Sequence, residues 1–549
     1  TDQVTNAKVG RGVGQRDYWV FENYLSYNDK FGDHTVSTMV GTSAEKERYE
    51  TVNASKEGLI NNDANQQIIN AATKNPAASG SVSYHTMNSY FGRVFYSYAD
   101  KYMITANIRW DGSSNFADKH RWGVFPSVSG GWNFREESFI KDVVGDWFSQ
   151  GKFRAACGEI GNQNISSGAY LTRYGNSTYY LLGNSMTPWL SGGRTNVGNP
   201  DLRWETTRQL DFGLDLAFFN SALKFNIDYF DRKTSDMLVQ VPMPAAIGLP
   251  NTPWSNAGSV KNRGFEFVLD YHGKIGNDFS YNIAGNISTY KNKVLSLGGG
   301  TNIPGKTHLG NQVNTMIEPG KPIGYFYGYK MDGVFQTQEE INNYRGGPDN
   351  TIIMPTAEPG DLKFVDLNGD GKLGEEDRTM IGNPHPDFTF GLTLSGEYKG
   401  FDLSMFFQGS VGNDILNILK YDIYSGTGWY NAPKDIFDKF WTGPGSTNEN
   451  FAISANSRDN LTMSEWYIEN GSYVRLKNVT LGYTFPKQWV QKLTVQNLRL
   501  FVAAQNLFTI TSYSGLDPEL GNSNPAFMGI DMGWYPQARS FMVGLSLKL

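Results

Sequence analysis

The chain has one cysteine, Cys157, among its 549 residues. A single thiol cannot build an intrachain disulfide framework, and it cannot supply the four thiolates of a structural zinc site. No two histidines have the spacing of a helical metal site, and no HExxH sequence is present. No set of residues is singled out as catalytic, so we expect neither an enzyme nor an organic cofactor.

Long apolar runs and an excess of positive charge are absent as well. No stretch reaches the roughly 18 consecutive apolar residues that a membrane-spanning helix needs, which excludes a helical membrane protein. The net charge is -6 and the basic residues are scattered, so no nucleic-acid partner is expected. Spanning strands remain possible, because alternating strands contain no such run.

What the chain does have is strict alternation, which is clearest from Tyr102 to Asp111. Side chains of a strand point to opposite faces with a period of two. One face of this segment is apolar, and the other is mostly polar. The apolar face comprises Tyr102, Ile104, Ala106, Ile108 and Trp110, and the polar face comprises Met103, Thr105, Asn107, Arg109 and Asp111. The pattern suits a barrel with lipid outside and polar groups inside.

Segments of this kind recur to the C-terminus, and their connections alternate between short and long. The short ones are 100–101, 220–221, 272–278 and 396–400, and the long ones are 161–203, 237–258, 291–384, 411–469 and 510–537. Outer-membrane barrels keep short turns in the periplasm and long loops outside the cell. Counting back from the C-terminus gives about 15 spanning strands and places the strand-like segment 324–335 within an external loop.

We therefore predict an all-β fold, a transmembrane antiparallel up-and-down β-barrel with long extracellular loops, in contact with outer-membrane lipid. The alternative is a soluble or surface all-β protein that binds or degrades glycans. Extraction distinguishes the two, because a barrel requires detergent whereas a soluble protein stays in the aqueous phase.

The segment 366–377 has the spacing of a twelve-residue calcium loop. Its candidate ligands are Asp366, Asn368, Asp370, the backbone carbonyl of Lys372, and Asp377. Gly371 permits the sharp turn at the sixth position, and Asp377 stands where glutamate is usual. We expect a calcium ion that stiffens an external loop. The alternative is a turn rich in Asp, Asn and Gly that satisfies its own backbone without metal.

Aromatic residues are frequent in the predicted long loops. Such side chains could stack on sugars or pack against a peptide or a partner, or they could fold the loops onto one another. The sequence favours neither role. The residues concerned are Trp189, Trp254, Trp429, Tyr430, Trp466 and Trp534.

Several blocks resemble the C-terminal part of SusC/RagA-like TonB-dependent transporters of Bacteroidetes outer membranes. They are spread over most of the chain, so the resemblance does not depend on one motif. The blocks are 90–116 (YFGRVFYSYADKYMITANIRWDGSSNF), 121–139 (RWGVFPSVSGGWNFREESF), 200–212 (beginning PDLRWE), 359–384 (PGDLKFVDLNGDGKLGEEDRTMIGNP), 473–486 (YVRLKNVTLGYTFP) and 497–519 (NLRLFVAAQNLFTITSYSGLDPE).

The resemblance implies a barrel of about 22 strands filled by a plug. Such a transporter imports large nutrients, typically oligosaccharides or peptides, with energy from the TonB–ExbB–ExbD system. A SusD-like surface lipoprotein caps it as a lid. In this family a carboxypeptidase-like domain, a TonB box and the plug precede the barrel, and none of them is recognisable here. We therefore expect residues 1–549 to be the C-terminal part of such a barrel, with roughly seven strands supplied elsewhere.

Overall fold

The computed structural model describes residues 7–59, 61, 63–182, 187–240, 252–298, 302–305, 307–308, 312–424, 431–453, 459–490, 495–522 and 524–548. Fifteen strands form one antiparallel sheet, and each strand lies beside the next one in the chain. They are β1 Lys8–Phe31, β2 His34–Glu57, β3 Lys74–Tyr98, β4 Tyr102–Ser113, β5 Trp122–Trp132, β6 Phe148–Asn162, β7 Glu205–Phe218, β8 Leu223–Ser235, β9 Ser259–Ile275, β10 Phe279–Ser296, β11 Phe388–Tyr398, β12 Phe401–Val411, β13 Tyr473–Thr484, β14 Asn497–Thr511 and β15 Ser540–Lys548. The up-and-down order and the predicted number of strands are confirmed.

The connections contain short elements of their own. The helices are α1 Ser138–Val144, α2 Gln338–Asn343, α3 Leu419–Tyr424, α4 Ile436–Lys439 and α5 Lys487–Val490. Small sheets pair Arg173–Leu182 with Thr187–Asn196, Leu238–Gln240 with Trp254–Asn256, Thr307–His308 with Gln312–Val313, Met331–Val334 with Leu362–Phe364, and Arg345–Gly346 with Thr351–Ile352. Two larger ones join Ile303–Pro304, Thr315–Ile317, Tyr325–Gly328 and Thr379–Gly382, and join Asp414–Asn417, Ile468–Asn470 and Ile530–Asp531. The segment 324–335 thus belongs to loop sheets, as predicted. No helix in the described ranges is both long and apolar enough to cross a membrane.

Alternate residues of the large sheet present apolar side chains outward. Ten of them, from strands that have neighbours on both sides, are between 38% and 54% exposed. They are Ile104, Ile108, Val124, Val128, Leu210, Phe212, Leu403, Leu481, Leu500 and Val502. A soluble sandwich would bury these side chains between two sheets, whereas exposure of an apolar face suits contact with lipid.

Three strands are far longer than a bilayer requires. A spanning strand needs about 9–11 residues, but β1, β2 and β3 have 24, 24 and 25. β4 pairs with β3 only from Met87 to Tyr98, so the residues of β3 before Met87 extend beyond the end of β4. Sequence alternation predicted neither β1 nor β2, and it placed the start of β3 at Phe91.

The tight turns depend on left-handed backbone conformations. Between β3 and β4, Ala99 and Asp100 have φ of 52° and 55°, and the Lys101 N–H donates to the Tyr98 carbonyl over 3.0 Å. Paired left-handed residues match the twist of adjacent antiparallel strands. The turn lies one residue before the predicted position 100–101. A single-residue shift of this kind is common, because turn residues such as Ala99 carry little sequence signal.

The chain divides into two compact units. One comprises Thr1–Gly131, Ala156–Arg208 and Thr234–Ala257, and the other comprises Trp132–Ala155, Gln209–Lys233 and Gly258–Leu549. In the first unit, a small loop core forms around Phe116, Leu202 and Trp204. In the second unit, a larger loop core includes Phe326, Phe335, Leu362, Leu416 and Tyr467. Burying each such side chain fully is worth roughly 1.5–3 kcal/mol.

Candidate functional site

Polar side chains on the inward face of the sheet form hydrogen bonds with one another. In the first unit, Arg109 of β4 donates to Asp111 over 2.7 Å and to Ser89 of β3 over 3.0 Å. Asn107 donates to Ser127 of β5 over 3.1 Å. These residues alternate with the outward apolar ones, so the faces of each strand are chemically distinct. A wall of this kind can line a path for polar solutes.

A second inward network lies in the other unit and is centred on Arg154 of β6. Its guanidinium donates to both oxygens of Asp215, over 2.8 and 2.7 Å, and to Asp228 over 2.9 Å. Asn226 donates to the same Asp215 carboxylate over 2.7 Å. One arginine faces two carboxylates, and the positive charge of Lys152 also acts on Asp215. Gly213 of β7 lies beneath the bridge, where a Cβ would come within 2.6 Å of the Arg154 guanidinium.

The external connections 297–387 and 412–472 pack on one another rather than projecting separately. Side chains from both, together with Ile530 of the last connection, share the larger loop core. Trp466 belongs to this core and donates its indole N–H to Asn450 over 2.9 Å. Such packing gives the loops a fixed surface, which recognition of a large solute requires.

The last external connection, 512–539, is held to the wall by buried charges. Arg475 of β13 is 3% exposed and donates to Asp517 over 2.5 Å and to Glu519 over 2.6 Å. Lys477 also reaches Glu519, over 2.8 Å. Burial raises the pKa of Asp517, but the Arg475 guanidinium and the N–H groups of Gln537 and Glu519 outweigh this effect, so the net pKa is lowered.

The segment 366–377 forms a compact turn bonded mainly to its own backbone. Asp366 accepts from Gly369 and Gly371 over 2.7 and 2.8 Å. Asn368 accepts from Asp370 over 2.8 Å, and Asp370 accepts from Lys372 over 2.9 Å. Gly371 has φ of 83°, as predicted for the sharp turn.

Asp377, the predicted twelfth-position ligand, is fully buried in this turn. One of its oxygens accepts from Leu367 and Asn368 over 2.9 and 3.2 Å, and the other accepts from Gly374 over 2.7 Å. Across the described ranges, no three His, Cys, Asp or Glu side chains are grouped closely enough to hold a metal ion. Calcium binding by this loop stays a prediction.

The loop aromatics have different roles. Trp254 packs on the core of the first unit and Trp466 is buried in that of the second, so both fold loops onto one another. Trp534 is 53% exposed, and its neighbour Tyr535, which sequence reasoning did not select, is 91% exposed. The side chain of Trp189 and residues 429–430 lie outside the described residues.

Comparison with known proteins gives a consistent result. The family model described as TonB dependent receptor-like, beta-barrel, matches residues 1–507. The chain is 35% identical to TonB-dependent receptor P3 of Formosa agariphila over 568 residues, which cover 99% of this chain and 54% of the relative. It is 30% identical to TonB-dependent receptor SusC of Bacteroides thetaiotaomicron over 539 residues, which cover 96% of this chain and 49% of the relative. The chain thus spans about half the length of these relatives.

A solved structure of the RagAB peptide transporter has the same fold. The TM-score is 0.81 at 22% identity, and the match covers 98% of this chain and 56% of that chain. The predicted transmembrane barrel, its outer-membrane location and the SusC/RagA resemblance are confirmed, and the soluble alternative is wrong. The chain belongs to the TonB-dependent receptor β-barrel family of the outer membrane.

Proposed function

We propose that residues 1–549 form the C-terminal part of the barrel of an outer-membrane importer for large nutrients. The main observation behind the proposal is that strands such as β4 have an exposed apolar outer face and an inner face of hydrogen-bonded polar side chains. A closed barrel satisfies its backbone within lipid, and its polar interior offers cargo a route. Catalysis plays no part in this role, and the curated relatives are receptors by name.

We propose that the energy source is the one typical of the family. An outer membrane has no nucleotide supply, so force must reach a plug from the TonB–ExbB–ExbD system of the inner membrane. The match covers only about half of each relative. We propose that the plug and the TonB box belong to a part of the protein that corresponds to the other half.

We further propose that a SusD-like lipoprotein covers the external loops and that the cargo is an oligosaccharide or a peptide. The exposed pair Trp534 and Tyr535 supports contact with such a ligand, since flat aromatic side chains bind sugar faces and pack on peptides at little entropic cost. The SusC and RagAB names do not select between the two cargo classes.

Uptake by a deletion strain tests the proposal. Loss of the receptor gene should abolish uptake of one oligosaccharide or peptide pool, and the gene should restore it. The tagged receptor should also co-purify with a surface lipoprotein. A Trp534→Ala/Tyr535→Ala variant should reduce uptake, whereas Trp489→Ala, which changes an exposed indole at the opposite end of the sheet, should not. Unchanged uptake of every tested pool in the deletion strain would contradict the importer role.

A further inference from the structure

One connection at the short-turn end of the sheet is longer than the tight turns there and, like the connection that contains α5, includes a helix. Residues 133–147 join β5 to β6 and contain the helix α1, whereas 99–101 and 276–278 are simple turns. The connection is pinned by Arg135, which is 7% exposed and donates to the Phe148 carbonyl over 2.5 Å and to the Gly145 carbonyl over 3.1 Å. The helix is therefore held firmly at the rim of the sheet.

This helix exposes large apolar side chains. Phe139 and Val143 are 65% and 81% exposed, and their spacing of four residues places them on one helix face. Trp147 after the helix and Phe219 in the adjacent turn are also exposed. Side chains of this size, grouped at one rim, require a partner or a membrane to cover them.

The patch continues the lipid-facing surface. Trp132, the last outward residue of β5, donates its indole N–H to Glu137 over 3.1 Å, immediately before the helix. Trp147 stacks on Phe218, on the outward face of β7, with ring centroids 5.7 Å apart and planes at 14°. The Phe219 N–H donates to the Trp147 carbonyl over 2.6 Å. One apolar surface thus extends from the wall to the connection.

We infer that α1 is an interfacial helix that inserts Phe139 and Val143 into the periplasmic phospholipid leaflet. Its polar side, opposite Phe139 and Val143, carries the exposed Lys141, which pairs with Glu136 over 3.0 Å and remains in water. An amphipathic helix at this depth lies about 5–10 Å into the headgroup and acyl boundary. The aromatic residues Trp132 and Trp147 occupy the level of an interfacial girdle. The helix fixes the vertical position of the barrel in the bilayer.

Spin-label accessibility tests this inference on the full-length receptor, reconstituted in phosphatidylethanolamine and phosphatidylglycerol bilayers. A nitroxide is attached to Val143→Cys in a background without other cysteines, Cys157 included. Collision rates are measured with oxygen, which concentrates in lipid, and with a water-soluble nickel chelate. Position 143 should favour oxygen, and so should a label at the outward Val128. A label at Lys141→Cys, on the opposite side of the helix, and one at Asn277→Cys, in another turn at this end, should favour the chelate.

A second variant distinguishes lipid from a protein partner. Phe139→Asp should shift the label at 143 toward the nickel chelate, whereas Lys141→Gln on the opposite side of the helix should not. Heat-modifiability on gels checks that each variant barrel is folded. Equal accessibility at 141 and 143 would overturn the inference. So would a label at 143 that is exposed to water in bilayers and becomes protected only when a periplasmic protein is added.

Discussion

Arg499 of β14 reaches over Gly482 of β13 to Asp402 of β12. Its Nε and Nη2 donate to the two oxygens of the aspartate over 2.9 and 2.5 Å. Strands lie about 4.8 Å apart, so a bond between second neighbours must span roughly 10 Å of sheet. Only a long side chain with an unobstructed strand beneath it can do this. The pair thereby fastens three strands together.

Arg154, Gly213 and Asp228 repeat the arrangement on β6, β7 and β8. In both cases the glycine is in the middle strand, and the arginine and aspartate are on the strands beside it. Each bridge lies on the inward face, opposite the exposed apolar residues. The glycines therefore have a specific role, which is to leave room for a cross-strand ion pair.

Replacing Gly482 with alanine should break the first bridge. The new Cβ would lie 2.5 Å from both the Arg499 Nη2 and the Asp402 Oδ1 atoms, closer than any packed methyl group can be. The charges are partly exposed and both side chains can move aside, so we expect a loss of about 1 kcal/mol in the free energy of unfolding. Denaturant unfolding in detergent micelles, followed by tryptophan fluorescence, measures it.

Gly285→Ala is the matched control, because a Cβ there would meet its nearest neighbours at 3.7 Å, an ordinary contact. This strand glycine should tolerate alanine with little change in stability. If both variants unfold at the same denaturant concentration, the bridge over Gly482 contributes nothing measurable.

Alternation in the sequence predicted strands such as β4 well, but it missed β1 and β2. Tyr102–Asp111 alternates because one face must be apolar throughout. In β2 the run Lys46, Glu47 and Arg48 is charged on both faces, because the long strands β1–β3 continue past the end of β4. Without a bilayer on one side, no period of two is required, and the strand signal disappears.

The external loops were less predictable for a different reason. Trp466 and Trp534 look alike in sequence, yet one is 6% exposed and the other 53%. Their difference depends on which distant loop residues pack against them, and spacing in one chain does not encode this. The turn at 366–377 was predictable from local spacing, but the burial of Asp377 was not.

Removing Arg475 should release the last external connection. An Arg475→Met variant would leave Asp517 without its buried cation, at a cost of roughly 3–5 kcal/mol, while Lys477 would still pair with Glu519. Hydrogen exchange and limited proteolysis of residues 512–539 should both accelerate. The control is Arg203→Met, because Arg203 pairs with Asp236 at an exposed site, where ion pairs contribute about 0–1 kcal/mol. Equal protection in the two variants would show that the connection is held by other contacts.

The same tether should weaken in acid. The folded-state pKa of Asp517 is lowered, so its stabilising effect is complete above the ordinary value of about 3.9 and is lost as the pH falls through the lowered value. Protease protection of 512–539 should stay constant from pH 7 to about 5 and fall below about 4. Asp517→Asn should reduce that acid-dependent loss. If protease protection of the variant depends on pH as it does in the natural protein, other carboxylates cause the loss of protection in acid.

If the 366–377 loop binds calcium, elemental analysis should find one calcium ion per chain, and a chelator should remove it. Absence of an ion before and after chelation would contradict calcium binding. An Asp377→Asn variant distinguishes the effect of an ion from that of the hydrogen-bonded turn. In this variant an amide nitrogen would face backbone N–H groups that now donate to the Asp377 carboxylate. The substitution should lower the local stability of the loop by roughly 1–3 kcal/mol. Protease should therefore cleave the loop faster even without calcium.

His385 should make the base of the largest external loop sensitive to mild acid. Its Nε2–H donates to the Ile323 carbonyl over 2.9 Å, which leaves Nδ1 to accept from the Tyr290 hydroxyl over 3.1 Å. Burial lowers the pKa of His385 more than the bond to Ile323 raises it. The neutral ring therefore links the loop to β10, and protonation would place a charge in a buried site.

Because the folded-state pKa of His385 is lowered, the unfolded chain binds more protons just below the ordinary value of about 6.5, and stability falls with falling pH. Peptides containing Ile323 should lose protection from hydrogen exchange between pH 7 and 5, once the rates are corrected for the intrinsic exchange rate at each pH. His385→Gln, which cannot titrate there, should abolish this pH dependence even if it raises the exchange rate at pH 7. His272→Gln, at an exposed histidine, should preserve it. A pH dependence that survives in His385→Gln would mean that another group controls the loop.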